Sequence, residues 1–121
     1  MKNIPKICGI IIWTDNLEKM SNFYENILGL SIRTKKSNYV NFEWEDFKLT
    51  ISKHSQVEGK SKDKFRIMIN FYVLNINKTI SNLSEKGVKI IRKPEEEEWG
   101  GLIATIEDPD NNIIQLLQKS S

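Results

Sequence analysis

Apolar and polar positions follow a pattern that occurs twice along the chain. Each half begins with an apolar run, Ile7–Trp13 and then Phe65–Val73, followed by a segment whose apolar residues recur every three or four positions. The first run has no charged position, which favours a strand buried on both faces. Three further strands are predicted after each helix: Leu30–Thr34, Tyr39–Trp44 and Phe47–Ser52, then Val88–Arg92, Gly101–Glu107 and Ile113–Leu117. The pattern therefore predicts an α+β fold of two βαβββ modules, at about residues 7–53 and 65–118.

The ends of both helices carry recognisable signals. Asp15, with Glu18 three residues later, predicts a capping box at the start of the first helix. Asn75 is the predicted N-cap of the second helix. Gly29 and Gly87 are the expected stops, because glycine adopts the left-handed conformation that follows a helix at little cost.

The connecting segments are polar. The stretch from His54 to Lys64 is expected to be a solvated connector, and Asp108–Asn112 has the composition of a turn. Glu95–Glu98 is expected to be a solvated acidic loop, which could instead draw a cationic ligand towards the protein. A module of about fifty residues is too small to bury the face of its own sheet well. We therefore expect residues 1–121 to form one domain in which the two modules share a core or curl into a concave surface.

Composition excludes several classes of function. Among 121 residues there are one His and one Cys, too few for a His-rich or multi-cysteine metal site. The net charge of +2 does not argue for nucleic acid. No apolar run is long enough to span a membrane, so the expected location is the cytoplasm.

The order of several short motifs resembles the vicinal oxygen chelate superfamily. This superfamily includes glyoxalase I, extradiol dioxygenases, and the fosfomycin- and bleomycin-resistance proteins. The resemblance covers residues 7–118, nearly the whole chain. Its motifs are Asp15-Asn16-Leu17, Phe23-Tyr24, Leu28-Gly29-Leu30, Lys86-Gly87-Val88, Trp99-Gly100 and Asp108-Pro109-Asp110-Asn111-Asn112.

The resemblance implies a curled eight-stranded mixed sheet around a cavity, with the helices on its outer face, and a homodimer. Metal-dependent members place His or Glu ligands at four strand positions. Matched one by one, those positions are Gly9, Thr50, Met68 and Gln115 in this chain. None of the four is a usual ligand for a hard or borderline divalent cation. We therefore expect neither a metal nor another cofactor.

The cavity that the resemblance implies is expected to hold a small organic molecule. Strand alternation places Ile11 and Trp13 on the face of Gly9, and Asn70 and Tyr72 on the face of Met68. Trp99 could stack on a flat ligand. The predicted ligand-binding set is Gly9, Ile11, Trp13, Thr50, Met68, Asn70, Tyr72, Trp99 and Gln115. Alternatively, side chains fill the concavity themselves.

Three functions remain open from the sequence. The leading one is a metal-free protein, similar to the bleomycin-resistance branch, that sequesters an antibiotic or cationic aromatic molecule. The second is a glyoxalase-like lyase, isomerase or dioxygenase with a displaced metal site or none. The third is a regulatory or dimerisation module without a ligand. No catalytic residue can be assigned, because Glu43 and Tyr72 have acid–base groups but no identified partner.

Overall fold

A computed structural model describes residues 3–120, so Met1, Lys2 and Ser121 of the predicted domain lie outside the described residues. The chain divides into two compact units, with the boundary between Gly59 and Lys60. Each unit contains a four-stranded mixed sheet and one helical segment, in the order βαβββ. The predicted α+β fold of two such modules is confirmed. No helix within residues 3–120 is long and apolar enough to cross a membrane.

The two units have the same topology. The first strand is parallel to the fourth and the other pairs are antiparallel, giving the sheet orders β1-β4-β3-β2 and β5-β8-β7-β6. A π-helical turn, Phe23–Ile27, continues the first helix directly. The elements are β1 Gly9–Thr14, α1 Leu17–Asn22, β2 Ile32–Lys35, β3 Tyr39–Trp44, β4 Phe47–Lys53, β5 Ile69–Tyr72, α2 Ile76–Glu85, β6 Ile90–Glu96, β7 Leu102–Glu107 and β8 Ile113–Gln118.

In each unit, the helix covers one face of the sheet. In the first unit, the helical segment contributes Met20 and Tyr24, and the strands contribute Phe42 and Ile51, all almost fully buried. In the second unit, the core includes Ile76, Leu83, Ile106 and Ile114. Each such side chain stabilises its unit by about 1.5–3 kcal/mol through burial.

Strand β1 is only partly buried, so the prediction of burial on both faces was wrong. Ile11 is 52% exposed and Trp13 is 44% exposed. The reason is topological: β1 is the edge strand of its sheet and the helix covers only one face. Apolar runs do not distinguish a doubly covered strand from an edge strand with large apolar groups on its uncovered face.

The first helix is capped by Asn16, so the prediction of an Asp15 cap was wrong. Asn16 Oδ1 accepts a hydrogen bond from the Lys19 backbone N–H at 3.3 Å. Asp15 Oδ2 instead accepts from the Gly59 N–H at 2.9 Å and fastens the connector to the first unit. In the second unit, Asn75 Oδ1 accepts from the Lys78 N–H at 3.1 Å, which confirms the predicted cap.

Strand β5 begins at Ile69, four residues later than the predicted strand. Upstream, the Arg66 N–H donates to the Asp63 carbonyl at 3.2 Å, and Arg66 Nε bonds Asp63 Oδ2 at 2.8 Å. This turn leaves Phe65 and Ile67 outside the sheet and exposed. Apolar content alone predicted a strand where a local hydrogen-bonded turn prevails.

Strand β6 extends through Glu96, so the expected acidic loop is shorter than predicted. Pro94 lies within this strand, where its missing N–H is tolerated because β6 is at the edge of its sheet. The register between β6 and β7 shifts between Arg92 and Glu95, which accommodates the proline.

Candidate functional site

The face of the first sheet that carries no helix collects the polar residues of β3 and β4. Across β1, β4 and β3, register joins Ile11 to Thr50 and Thr50 to Asn41. Neighbouring residues in register point to the same face of a sheet. We call this surface the helix-free face; its residues are Gly9, Ile11, Trp13, Asn41, Glu43, Lys48, Thr50 and Ser52.

A depression of about 520 Å³ lies at one end of the helix-free face. This volume falls within the range of small-molecule sites. Three of the predicted ligand-binding residues, Gly9, Ile11 and Thr50, line it together. The remaining lining residues are Cys8, Ile10, Glu43, Glu45, Asp46, Phe47 and Lys48.

Most charges around this depression are paired. Glu43 lies between two cations, with its carboxylate oxygens 3.4 Å from Arg33 Nε and 3.5 Å from Lys48 Nζ. Lys6 forms an ion pair with Asp46. With Glu45 included, three carboxylates face three cations, so the rim is close to neutral.

Asn41 carries an unsatisfied acceptor on the helix-free face. The residue is 6% exposed, and its Oδ1 is the one buried side-chain nitrogen or oxygen within residues 3–120 that lacks a hydrogen-bond partner. A buried polar group without a partner costs about 1–3 kcal/mol, and native proteins contain few. The sequence prediction did not include Asn41, because only the folded structure shows that its Oδ1 is buried without a partner.

Trp13 does not stand alone on the helix-free face. Its indole packs edge-on against the His54 ring, with centroids 5.0 Å apart and planes at 77°. His54 Nδ1 accepts a hydrogen bond from the Gln56 backbone N–H at 3.0 Å. His54, expected to be exposed in the connector, is therefore half-buried and fixes the orientation of Trp13.

In the second unit, the corresponding face carries a polar row. Asn70 is in register with Gln115, and Gln115 with Thr105. Tyr72 lies two residues further along β5 and has Lys119 Nζ 4.5 Å from its ring centroid. Met68 lies one residue before β5 begins and is partly exposed. The assignment of all four predicted residues to a ligand stays a prediction.

Trp99 lies apart from this polar row, in the turn before β7. Its indole covers Gly101, where an added Cβ would come within 1.7 Å of the ring. Gly101 therefore has a packing role, and Trp99 remains 51% exposed above it. Its predicted contact with a ligand stays a prediction.

The acidic run near Trp99 is partly compensated. Arg92 binds Glu95 through two hydrogen bonds of 3.0 and 3.1 Å, and also contacts Glu97 at 3.3 Å. The hydrogen bond and the charge of Arg92 lower the pKa of Glu95. This pairing reduces the attraction of the run for a cationic ligand.

Glu107 is a deeply buried carboxylate with charged partners. It forms an ion pair with Lys64, lies 3.6 Å from Lys89 Nζ, and accepts a hydrogen bond from Asn111 Nδ2 at 3.2 Å. Burial raises the pKa of Glu107, but the hydrogen bond and charge of Lys64, together with Lys89 and Asn111, outweigh it and lower the pKa. These contacts fasten the Asp108–Asn112 turn, so they are structural.

The predicted turn after β7 is confirmed. Asp108 Oδ1 accepts hydrogen bonds from the backbone N–H groups of Asp110 and Asn112, both at 2.9 Å. Asn111 has a φ of 66°, in the left-handed region that asparagine tolerates.

The residues at the family's metal positions do not fit a divalent metal. At Gly9, an added Cβ would lie 2.5 Å from the Lys48 carbonyl oxygen, so β1 and β4 leave no space for a ligating side chain. Within residues 3–120, no group of three or more His, Cys, Asp or Glu side chains could hold a metal ion.

Sequence comparison shows the family of this chain. The model of the Glyoxalase-like domain family matches residues 7–120. The chain belongs to this family. This result confirms the resemblance to the vicinal oxygen chelate superfamily.

Two curated relatives match nearly the whole chain. An uncharacterized Bacillus subtilis protein, YraH, is 29% identical over 125 residues, covering 92% of this chain and 96% of the relative. A Synechocystis protein named "Probable lactoylglutathione lyase" is 30% identical over 123 residues, covering 92% of this chain and 93% of the relative. A solved glyoxalase/bleomycin resistance protein/dioxygenase from Nocardioides has a TM-score of 0.74 at 14% identity, covering 100% of this chain and 87% of that one. At that identity, the structural likeness shows the fold.

Proposed function

We propose that this glyoxalase-like protein binds a small organic molecule without a metal and sequesters it. The observation that carries the proposal is the close approach at Gly9. There the backbone of β4 occupies the space that a ligating side chain would need. A catalytic zinc or iron site requires about three good protein ligands, and position 9 cannot supply one.

The helix-free face of the first sheet supports binding of an organic ligand. Its depression combines apolar groups from Ile11 and Phe47 with a hydroxyl from Thr50. Mainly apolar walls with a few polar groups are typical of small-molecule sites.

Metal retention tests the metal-free part of this proposal. After incubation with zinc, nickel, iron(II) or manganese and buffer exchange, elemental analysis is expected to find far less than one metal ion per chain. The Gly9→His variant is the matched control, and it should not gain a stoichiometric metal because its side chain meets the β4 backbone. One tightly held metal ion per wild-type chain would contradict the proposal.

A glyoxalase-like lyase is the second candidate, favoured by the name of the Synechocystis relative. This enzyme would require a displaced site or a metal-independent route. Turnover of the methylglyoxal–thiol adduct distinguishes the two functions. Turnover by the metal-free protein would support the lyase, whereas no turnover with any of the four metals would leave sequestration.

We also propose a homodimer, as the resemblance implies. Strand β1 is at the edge of its sheet, and edge strands are commonly paired or covered. The segment just before it carries Ile4 and Ile7, both largely exposed apolar side chains. Sedimentation equilibrium at micromolar concentration is expected to give twice the chain mass, and a monomer under these conditions would contradict this proposal.

A further inference from the structure

A second depression in the first unit, of about 470 Å³, lies between its helical segment and one end of its sheet. We call it the α1 groove. Its volume is that of a small-molecule site, and it shares no lining residue with the depression on the helix-free face. The helical wall contributes Glu18, Ser21 and Glu25. The strand wall contributes Lys35, Lys36 and Lys53.

The strand wall of the α1 groove is cationic because the backbone gathers three lysines at one end of the sheet. Lys35 is the last residue of β2, and the Lys36 N–H donates to the Tyr39 carbonyl at 2.8 Å. The Lys53 N–H donates to the Asn38 carbonyl at 2.9 Å, which holds the end of β4 against the same turn. None of these lysines forms an ion pair within residues 3–120. Clustered cations without counter-charges attract an anionic group.

The helical wall of the α1 groove is anionic, and its charges are also unpaired. Glu18 and Glu25 form no ion pair with any residue that the structure describes. The groove therefore keeps its negative charges on one wall and its positive charges on the other without joining them. A ligand with one kind of charge leaves one wall unmatched, whereas a zwitterion matches both.

Ser21 adds an unpaired polar group to the helical wall. The residue is 6% exposed, and its hydroxyl forms no hydrogen bond with a residue between 3 and 120. Within the same part of the chain, Asn41 Oδ1 is the one fully buried side-chain nitrogen or oxygen without a partner. The Ser21 oxygen therefore keeps contact with the space of the groove, where a ligand can reach it. A serine hydroxyl can accept a hydrogen bond from an ammonium group.

We propose that the α1 groove binds a small zwitterionic amino acid. Its ammonium group lies against Glu18 and Glu25 and donates to the Ser21 hydroxyl, and its carboxylate lies against the three lysines of the strand wall. Glu25 is half-buried and the other charged side chains are exposed, so binding is expected to be weak, in the millimolar range, and to weaken further with added salt. This inference does not rest on the proposed function.

Three matched probes test the charge pattern: 4-aminobutyrate, butyrate and butylammonium. The first carries both charges on a four-carbon chain, and each of the others lacks one of them. Binding is measured at constant ionic strength by changes in the amide and methyl resonances of isotope-labelled protein, which should centre on Ser21 and Val40. The zwitterion is expected to bind about fivefold more tightly than either singly charged probe, because each of those loses its contacts to one wall.

Variants of the helical wall connect this preference to the proposed residues. Glu18→Gln combined with Glu25→Gln should abolish the advantage of 4-aminobutyrate over butyrate. Ser21→Ala should weaken binding of 4-aminobutyrate but not of butyrate, because the hydroxyl bonds the ammonium group. Alanine is a stronger helix former than serine, so the Ser21→Ala protein should remain folded, as its melting temperature will show.

Variants of the strand wall test the other charge. Lys36→Gln combined with Lys53→Gln should weaken binding of 4-aminobutyrate and of butyrate, but not of butylammonium. Lys78→Gln combined with Glu85→Gln is the control, because both side chains are exposed on α2 of the second unit and lie outside the groove. The control should leave the affinity of all three probes unchanged.

The outcomes separate this inference from the proposed function. Butyrate binding as tightly as 4-aminobutyrate would overturn the zwitterion, and an undiminished preference in both wall variants would overturn the residue assignment. Shifts at Ile11 and Thr50 with none at Ser21 would place binding on the helix-free face, which would overturn this inference and leave the proposed function in place. If no probe at millimolar concentration shifts the Ser21 resonance, the α1 groove is not an amino acid site.

Discussion

Replacing Gly9 with alanine is expected to lower the free energy of unfolding by about 1–3 kcal/mol, the usual penalty for overpacking. The added methyl group would lie 2.5 Å from the Lys48 carbonyl oxygen. Strands β1 and β4 must separate to relieve this contact, which strains the hydrogen bond of 3.0 Å from the Lys48 N–H to the Cys8 carbonyl. Urea unfolding of wild type and variant measures the difference.

Two further substitutions identify the cause of the Gly9→Ala effect. Lys48→Ala in the Gly9→Ala background should not restore stability, because the obstructing atom belongs to the backbone. Met68, at the matching position of the second unit, is partly exposed. Met68→Ala should therefore change the free energy of unfolding by less than about 0.5 kcal/mol. A Gly9→Ala protein as stable as wild type would show that β4 yields, and would remove the steric argument against a ligand at position 9.

The fold could be predicted from the sequence because its signals are local and strong. Apolar residues at helical spacing, the Asn75 cap, and the glycines at positions 29 and 87 placed both helices. Gly29 and Gly87 have φ values of 82° and 83°, the left-handed conformation that the prediction required. Alternation along the strands then gave the βαβββ order of each module.

The errors arose where a residue's role depends on a particular hydrogen bond that the apolar pattern does not show. Asp15 and Asn16 are both good caps, and the choice between them follows from the bond of Asp15 to Gly59, forty-four positions away. Likewise, the start of β5 depends on the Asp63–Arg66 turn. Periodicity does not report such competing hydrogen bonds.

The candidate site was predicted in part, for a similar reason. Gly9, Ile11 and Thr50 were placed together by alternation and by the family's pattern, and all three line the depression. Asn41 was missed because its significance depends on having no partner, which requires coordinates. The steric role of Gly9 also requires the register of β1 on β4.

Replacing Glu107 with glutamine is expected to destabilise the protein by about 1.5–3 kcal/mol at pH 7, the range for hydrogen bonds to charged groups. Glu107 is 4% exposed and is bound by Lys64, Lys89 and Asn111. These contacts join the Glu107–Asn112 region to the segment that enters β5. The substitution preserves side-chain size, so the loss reports the charge.

The pH dependence of the Glu107→Gln effect has a defined sign. Because the folded state lowers the pKa of Glu107, its charge contributes stability that is fully present above the unfolded value of about 4.3. That contribution is lost as the pH falls through the lower folded pKa. From pH 5.5 to 7, above the unfolded pKa of about 4.3, the free energies of unfolding of wild type and Glu107→Gln should therefore differ by a constant amount. This difference should shrink as the pH falls further.

Two variants separate the buried ion pair from a general charge effect. Glu95→Gln also removes a carboxylate whose pKa is lowered, but that group is exposed, so no measurable change in stability is expected. Lys64→Met should destabilise the protein. Because it removes the strongest partner of Glu107, the contribution of Glu107 to stability should then be lost at a higher pH. If Glu107→Gln changed the free energy of unfolding by the same amount down to pH 2, well below the unfolded pKa of about 4.3, packing and not charge would hold Glu107 in place.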